Sequence, residues 1–269
     1  MNSAGRFYTR EDMRCFDMNI GIIGFGNLGR ALASGLIKSG CTDAGGIYVC
    51  EKYPEVQTIA ENAPYFAHAV DNVNHVISNS DVIFLTIKSY VFEELSEVIA
   101  RDGLSGKILV SFMAGVSFDK IYSLVGEVSL VRAMPSLAIA SCEGVIGYTK
   151  APANVAKIFH QLGYAFEISP EDIEKVMAFS SCGLGFAAYL IDAFAAAGAS
   201  MGFSPEVSAH IAALTFKNAV DRGHFRDTVS AVATPGGATE QGIMHMDERG
   251  IYSIVAQAIG KAYDKMASA

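Results

Sequence analysis

The chain has 269 residues, enough for one large domain or two ordinary ones. It is 51% hydrophobic and 18% charged, which supports a large core and argues against disorder. A formal net charge of −8 argues against nucleic acid and anionic membranes as partners.

In chain order, the first seventeen residues are polar and lack the apolar run of a secretory signal, with Met18 as an alternative start. Residues 19–23 are a short apolar run that stops at glycine. Gly24-Phe25-Gly26-Asn27-Leu28-Gly29 follows and opens a helix over 30–39, closed by Gly40. A G-x-G-x-x-G between a strand and a helix is a dinucleotide-binding fingerprint. Gly24 allows the tight turn, Gly26 lets a pyrophosphate approach the backbone, and Gly29 lets the helix pack on the strand. Asn27 and Leu28 lie in the same phosphate-facing turn. The second strand, residues 47–50, ends at Glu51. An acid there accepts from the ribose 2′-OH and repels a 2′-phosphate. The adjacent Lys52 could contact a phosphate instead, so NADH and NADPH both stay open, with the balance toward NADH.

A third buried strand spans 82–87 and runs into Lys88, which either approaches the nicotinamide end or is a surface lysine. The fourth, 107–112, ends in Ser111-Phe112-Met113-Ala114-Gly115. The small Ala114 and Gly115 suit close contact with a flat ring. A fifth strand spans 128–132 and runs on to Met134-Pro135-Ser136, and a sixth is placed at 145–149. Apolar strands alternating with helical stretches mean a parallel sheet covered on both faces.

The pattern changes near Ala151, and from there to the end the reading is helical. Helices are expected at 153–162, 170–201, from Ser204-Pro205-Glu206 to about 222, at 239–249 and at 251–267. Residues 186–199 are apolar all round, as in a helix buried against a second subunit. The uncharged stretch 176–191 is too short for a membrane span. The expected fold is therefore α/β. A Rossmann-type parallel-sheet domain over 18–150 precedes an all-helical dimerisation domain over 151–269. Near the end, Thr234-Pro235-Gly236-Gly237-Ala238-Thr239-Glu240 is a turn with hydroxyls at both ends that opens a helix. Its unpaired N–H groups and the helix dipole can bind a small carboxylate; an ordinary helix-opening loop is the alternative. An early dinucleotide site and a late carboxylate site are the layout of a two-domain reductase.

The five cysteines, Cys15, Cys41, Cys50, Cys142 and Cys182, form no C-x-x-C pair and read as reduced thiols of a cytoplasmic protein. The six histidines show no ligand spacing, so no metal is expected.

Together these residues resemble the pyrroline-5-carboxylate reductases over nearly the whole chain. The likeness is carried by the fingerprint, Ser111 to Val116, Val131-Arg132-Ala133-Met134-Pro135, Glu143-Gly144-Val145, the helix from Ala193 to Gly202, and the turn from Thr234 to Thr239. The resemblance implies NAD(P)H-dependent reduction of a cyclic imine carboxylate to proline, in a homodimer or a larger homo-oligomer. It implies that Thr234, Gly236, Gly237, Ala238 and Thr239 hold the substrate carboxylate. It implies that Thr239 orients the imine nitrogen and delivers its proton. The chain departs from the family pattern at Ser89, Ser136, in the stretch from Ser181 to Tyr189, and at Ser230. Those departures keep open a paralogue acting on another cyclic imine or a hydroxyacid, or a weakly catalytic dinucleotide-binding regulator.

Overall fold

A computed structural model of the chain describes residues 18–52, 68–70, 72–101 and 103–267. It divides into two compact units, one running to Ser181 and rejoined from Tyr263, the other Cys182–Ala262.

The first unit is built on one eight-stranded sheet of order β3-β2-β1-β4-β5-β6-β7-β8. Its strands are β1 (Ile20–Ile23), β2 (Ile47–Cys50), β3 (His68–Val70), β4 (Val82–Leu85), β5 (Ile108–Ser111), β6 (Ser129–Pro135), β7 (Gly144–Tyr148) and β8 (Gly163–Glu167). From β3 to β6 every pairing is parallel. β7 runs antiparallel to β6, and β8 parallel to β7. All four residues of β1 and of β4 are buried, as a sheet covered on both faces requires. One apolar cluster, with Phe25, Leu32, Leu36, Val131 and Phe159, covers one face. A second, with Ile23, Val76, Phe92, Leu109 and Ile121, covers the other. The covering helices are α1 (Asn27–Lys38), α2 (Val73–Asn79), α3 (Ser89–Arg101), α4 (Phe118–Val125) and α5 (Ala153–Leu162). Asn72 and Ser117 cap α2 and α4 by accepting from the backbone N–H of Asn74 and Lys120. In register, Ile23 pairs with Leu85 and Leu85 with Ser111, so the carboxyl ends of β1, β4 and β5 lie side by side. The chain reverses strand order between β1 and β4, which is where such sheets bind ligands.

The expected boundary at residue 150 falls inside this unit. α5 buries Val155, Ile158, Phe159 and Leu162 in the same core as β1 and β6, and β8 returns to extend the sheet. β8 is a half-buried edge strand with both aromatics, Tyr164 and Phe166, on one face, too short to announce itself by alternation. Gly163 makes its approach possible, since a Cβ there would lie 2.0 Å from the Gly144 carbonyl oxygen. Three-residue β3 was likewise below the length at which a pattern can be read.

A short helix α6 (Ile173–Val176), a π turn (Met177–Ser181) and α7 (Cys182–Ser200) follow. They form one helical run, Pro170–Ser200, of 31 residues with mean hydropathy 1.5. Length alone therefore does not bar this run from crossing a bilayer, contrary to the expectation for 176–191.

The second unit is helical throughout: α7, α8 (Pro205–Arg222), α9 (Phe225–Val232), α10 (Ala238–Glu248) and most of α11 (Ile251–Ala267). Ser204 caps α8 by accepting from Val207 N–H, with Pro205 at the first position, as the sequence predicts. α7 and α8 cross closely where Gly198 faces Ser208; a Cβ on Gly198 would lie 3.1 Å from Ser208 Oγ. Ser208 and Ala212 are buried there, yet Tyr189, Phe194, Met201, Ile211, Val220 and Tyr252 are all exposed. That much exposed apolar side chain marks the unit as an interaction surface.

Candidate dinucleotide cleft and carboxylate turn

At the end of β1 the three fingerprint glycines are required for three different reasons. Gly24 has φ +97°, and a Cβ there would meet Ile87 at 2.6 Å. A Cβ on Gly29 would lie 2.2 Å from the Gly24 carbonyl oxygen, so only glycine lets α1 start so close to the strand. Beside Gly26 there is nothing within 4 Å, which leaves room for a ligand to reach the backbone. The first rung of α1 is Arg30 N–H to Gly26 O, so the N–H groups of Asn27, Leu28 and Gly29 precede the helical ladder. Thr86, at the end of β4, donates its hydroxyl to Gly24 O at 2.6 Å and ties the two strand ends together. The sequence reading assigned no role to Thr86; a hydroxyl closing an otherwise apolar buried strand was the signal.

Glu51 reaches this turn from the end of β2. Its Oε2 accepts from Phe25 N–H at 2.5 Å and its Oε1 from Lys52 N–H at 2.7 Å. Lys52 Nζ forms an ion pair with Glu94 Oε2 at 3.3 Å. A cleft of about 550 Å³ is lined by Gly24, Gly26, Glu51, Lys52, Thr86 and Lys88, among others. Lys88 lies exposed on its rim. The structure thus brings together five of the sequence-predicted cofactor residues, with Asn27, Leu28 and Gly29 on the adjoining first turn of α1. Ala114 and Gly115 follow β5 at the same end of the sheet, outside that cleft lining.

The segment after β5 is held by a group that the sequence did not single out for function. Arg132 on β6 is buried, and its Nη2 donates to Met113 O at 3.3 Å and to Glu174 Oε1 on α6 at 2.6 Å. Two departures from the family pattern also turn inward. Ser136 Oγ accepts from Val145 N–H at 3.1 Å, and Ser181 Oγ donates to Pro135 O at 3.0 Å.

In the second unit, Thr234 O accepts from Gly237 N–H at 2.8 Å across a turn with Pro235 second and Gly236 third. Gly236 has φ +72°, the conformation that favours glycine there. Gly237 is the N-cap of α10 and brings no side chain to cap it. The first rung of α10 is Gln241 N–H to Gly237 O, which puts the N–H groups of Ala238, Thr239 and Glu240 ahead of the ladder. Thr234, Ala238 and Thr239 are exposed. Two of the five expected carboxylate residues differ from expectation. Gly237 N–H is used in the turn itself, and Gly236 N–H donates to Glu240 Oε2 at 2.7 Å. Both N–H groups are thus engaged within the turn, whereas those of Ala238 and Thr239 meet no acceptor among the described residues.

Cys142 and Cys182 are thiols, Cys41 Sγ donates to Gln161 Oε1, Cys50 lies buried at the end of β2, and Cys15 lies outside the described residues. Burial pushes the Cys142 and Cys182 thiols up, so neither is poised as a thiolate. Among the described residues no three His, Cys, Asp or Glu side chains cluster as a metal site.

Two family models match the chain. Residues 19–115 match the NADP oxidoreductase coenzyme F420-dependent family, and residues 170–269 match the pyrroline-5-carboxylate reductase dimerisation family. A pyrroline-5-carboxylate reductase of Aquifex aeolicus is 29% identical over 261 residues, covering 92% of this chain and 96% of its own length. Pyrroline-5-carboxylate reductase 1 of Dictyostelium discoideum is 28% identical over 280 residues, covering 95% of this chain and 50% of its own length. The chain therefore spans about half of that relative. The solved pyrroline carboxylate reductase of Plasmodium falciparum, described with NADP bound, superposes with a TM-score of 0.84 at 22% identity, covering 94% of this chain and 98% of its own. That likeness shows the fold. With the dinucleotide cradle, the uncapped turn and both domain matches in place, the chain carries a pyrroline-5-carboxylate reductase dimerisation domain and is similar to the pyrroline-5-carboxylate reductases over more than nine-tenths of its length.

Proposed function

We propose that this protein reduces 1-pyrroline-5-carboxylate to proline. The observation that carries the reading is the open helix start at Ala238 and Thr239, a carboxylate-sized donor pair, in a chain that also holds a fitted dinucleotide cradle. Relatives of 28–29% identity that carry this activity in their names support it. NAD(P)H supplies the hydride when bound. The open backbone beside Gly26 and the first turn of α1 would hold its pyrophosphate. Glu51 would take a ribose hydroxyl and disfavour a 2′-phosphate, which supports NADH over NADPH. Ala238 and Thr239 N–H groups bind the substrate carboxylate, with the Thr234 hydroxyl beside them. The Thr239 hydroxyl orients the imine nitrogen and passes it a proton. No strong acid is needed where the imine is already protonated; the protein supplies geometry and electrostatics.

The dimerisation-family match supports a homo-oligomer, and we assign a dimer through the helical unit, able to build into a larger ring. The exposed apolar helix α7 is then covered by a second copy rather than by lipid. The odd number of cysteines and the lack of a C-x-x-C pair support a reducing, cytoplasmic setting. A second reading, reduction of a different cyclic imine, is favoured by the inward-turned Ser136 and Ser181 and by the acid at Glu240. Steady-state oxidation of NADH and of NADPH with 1-pyrroline-5-carboxylate, and with its six-membered homologue, tests both. No turnover of the five-membered ring would overturn the first reading.

A further inference from the structure

The carboxylate turn already contains a carboxylate. Glu240 is the third residue of α10, and its Oε2 accepts from Gly236 N–H at 2.7 Å. An acid at that position commonly reaches back to the N-cap N–H of its own helix. Here it reaches one residue further, past Gly237 and into the turn. Gly237 offers no side chain that would cap the helix in its place. The N–H groups of Ala238 and Thr239 are the next donors along the chain, and they precede the helical ladder. A substrate carboxylate seated on them would sit beside a negative charge that makes no ion pair among the described residues. No Lys or Arg shares the segment from Thr234 to Gln241.

We propose that Glu240 is a specificity-determining residue, an internal anion that competes with the substrate's carboxylate for the turn. The inference rests on the reading of this turn as the carboxylate seat. It follows that the wild-type protein binds monoanionic cyclic carboxylates more weakly than the backbone donors alone would allow.

Glu240→Gln tests this, because the amide oxygen can keep the bond to Gly236 N–H while the charge is removed. The Michaelis constant for 1-pyrroline-5-carboxylate should fall roughly 2–5-fold, the range expected for deleting one exposed like charge. The second readout needs no turnover. L-Proline titrated into labelled protein, followed at the Ala238 and Thr239 amides by NMR, should bind more tightly to the variant by a similar factor. A merely structural acid would lower the melting temperature when replaced and would not tighten either constant. Unchanged or weaker binding of both ligands by Glu240→Gln overturns the proposal. Wild-type protein that fails to reduce 1-pyrroline-5-carboxylate, while proline binding still tightens in the variant, would sink the proposed activity and leave the role of Glu240 standing.

Discussion

Thr239 shows what one side chain contributes once its place in the helix is known. It is the second residue of α10, two positions past the Gly237 N-cap, so its hydroxyl is not needed to cap the helix. Thr239→Ala should therefore leave stability unchanged or raise it by about 0.5 kcal/mol from helix propensity. Turnover should fall about 10–10³-fold, more than substrate affinity does, because the backbone donors stay in place. Steady-state kinetics and thermal melting on the same variant check both halves, and full turnover would remove Thr239 from the chemistry. Glu51 is the second such residue. Its carboxylate bonds to Phe25 N–H within the fingerprint turn, which places it where a 2′-phosphate would have to come. Glu51→Ser should raise NADPH affinity up to roughly 5-fold relative to NADH. Fluorescence titration with each cofactor measures this, and an unchanged ratio would mean that the acid only braces the turn. Glu51 was singled out from its spacing after the fingerprint, and Thr239 from the family resemblance. Thr86 and Glu240 were not assigned a role, because a hydroxyl at a strand end and an acid in a first helical turn gain meaning only from the groups they meet.

At the level of elements, the junction of β1 and α1 tolerates no side chain at its third glycine. Gly29→Ala would bring a Cβ to 2.2 Å from a backbone oxygen, so the helix must shift off the strand. The expected cost is about 1–3 kcal/mol of stability, with loss of NADH binding in calorimetry even where the variant stays folded. The other junction is the ion pair between β6 and α6. Glu174→Ala leaves the Arg132 guanidinium buried beside Met113 O without its carboxylate, which should cost about 3 kcal/mol in denaturant unfolding. A loss below 1 kcal/mol would mean that solvent reaches Arg132 readily. Strand positions β1, β2, β4 and β5 and the helix Ala153–Leu162 were readable because continuous apolar runs and helical spacing are local signals. β3, β8 and α9 were missed, since each is too short for its periodicity to show.

The whole molecule pairs a self-sufficient sheet unit with a helical unit whose large side chains are mostly exposed. At micromolar concentration light scattering should therefore give a dimer or a larger assembly, and a stable monomer would contradict both the exposed surface and the dimerisation match. The sequence by itself determined the α/β class, the glycine fingerprint between β1 and α1, the helical second unit and the Pro-Gly-Gly turn, because each is encoded in residues close together along the chain. Only the tertiary structure decided where the first unit ends. Whether α5 and β8 join the sheet depends on packing Phe159 and Leu162 against strands more than a hundred residues earlier. It alone also decided which donors of the turn are open. Gly236 and Ala238 look alike as backbone in the sequence, and only the fold of the helix start brings Glu240 onto one and leaves the other uncovered.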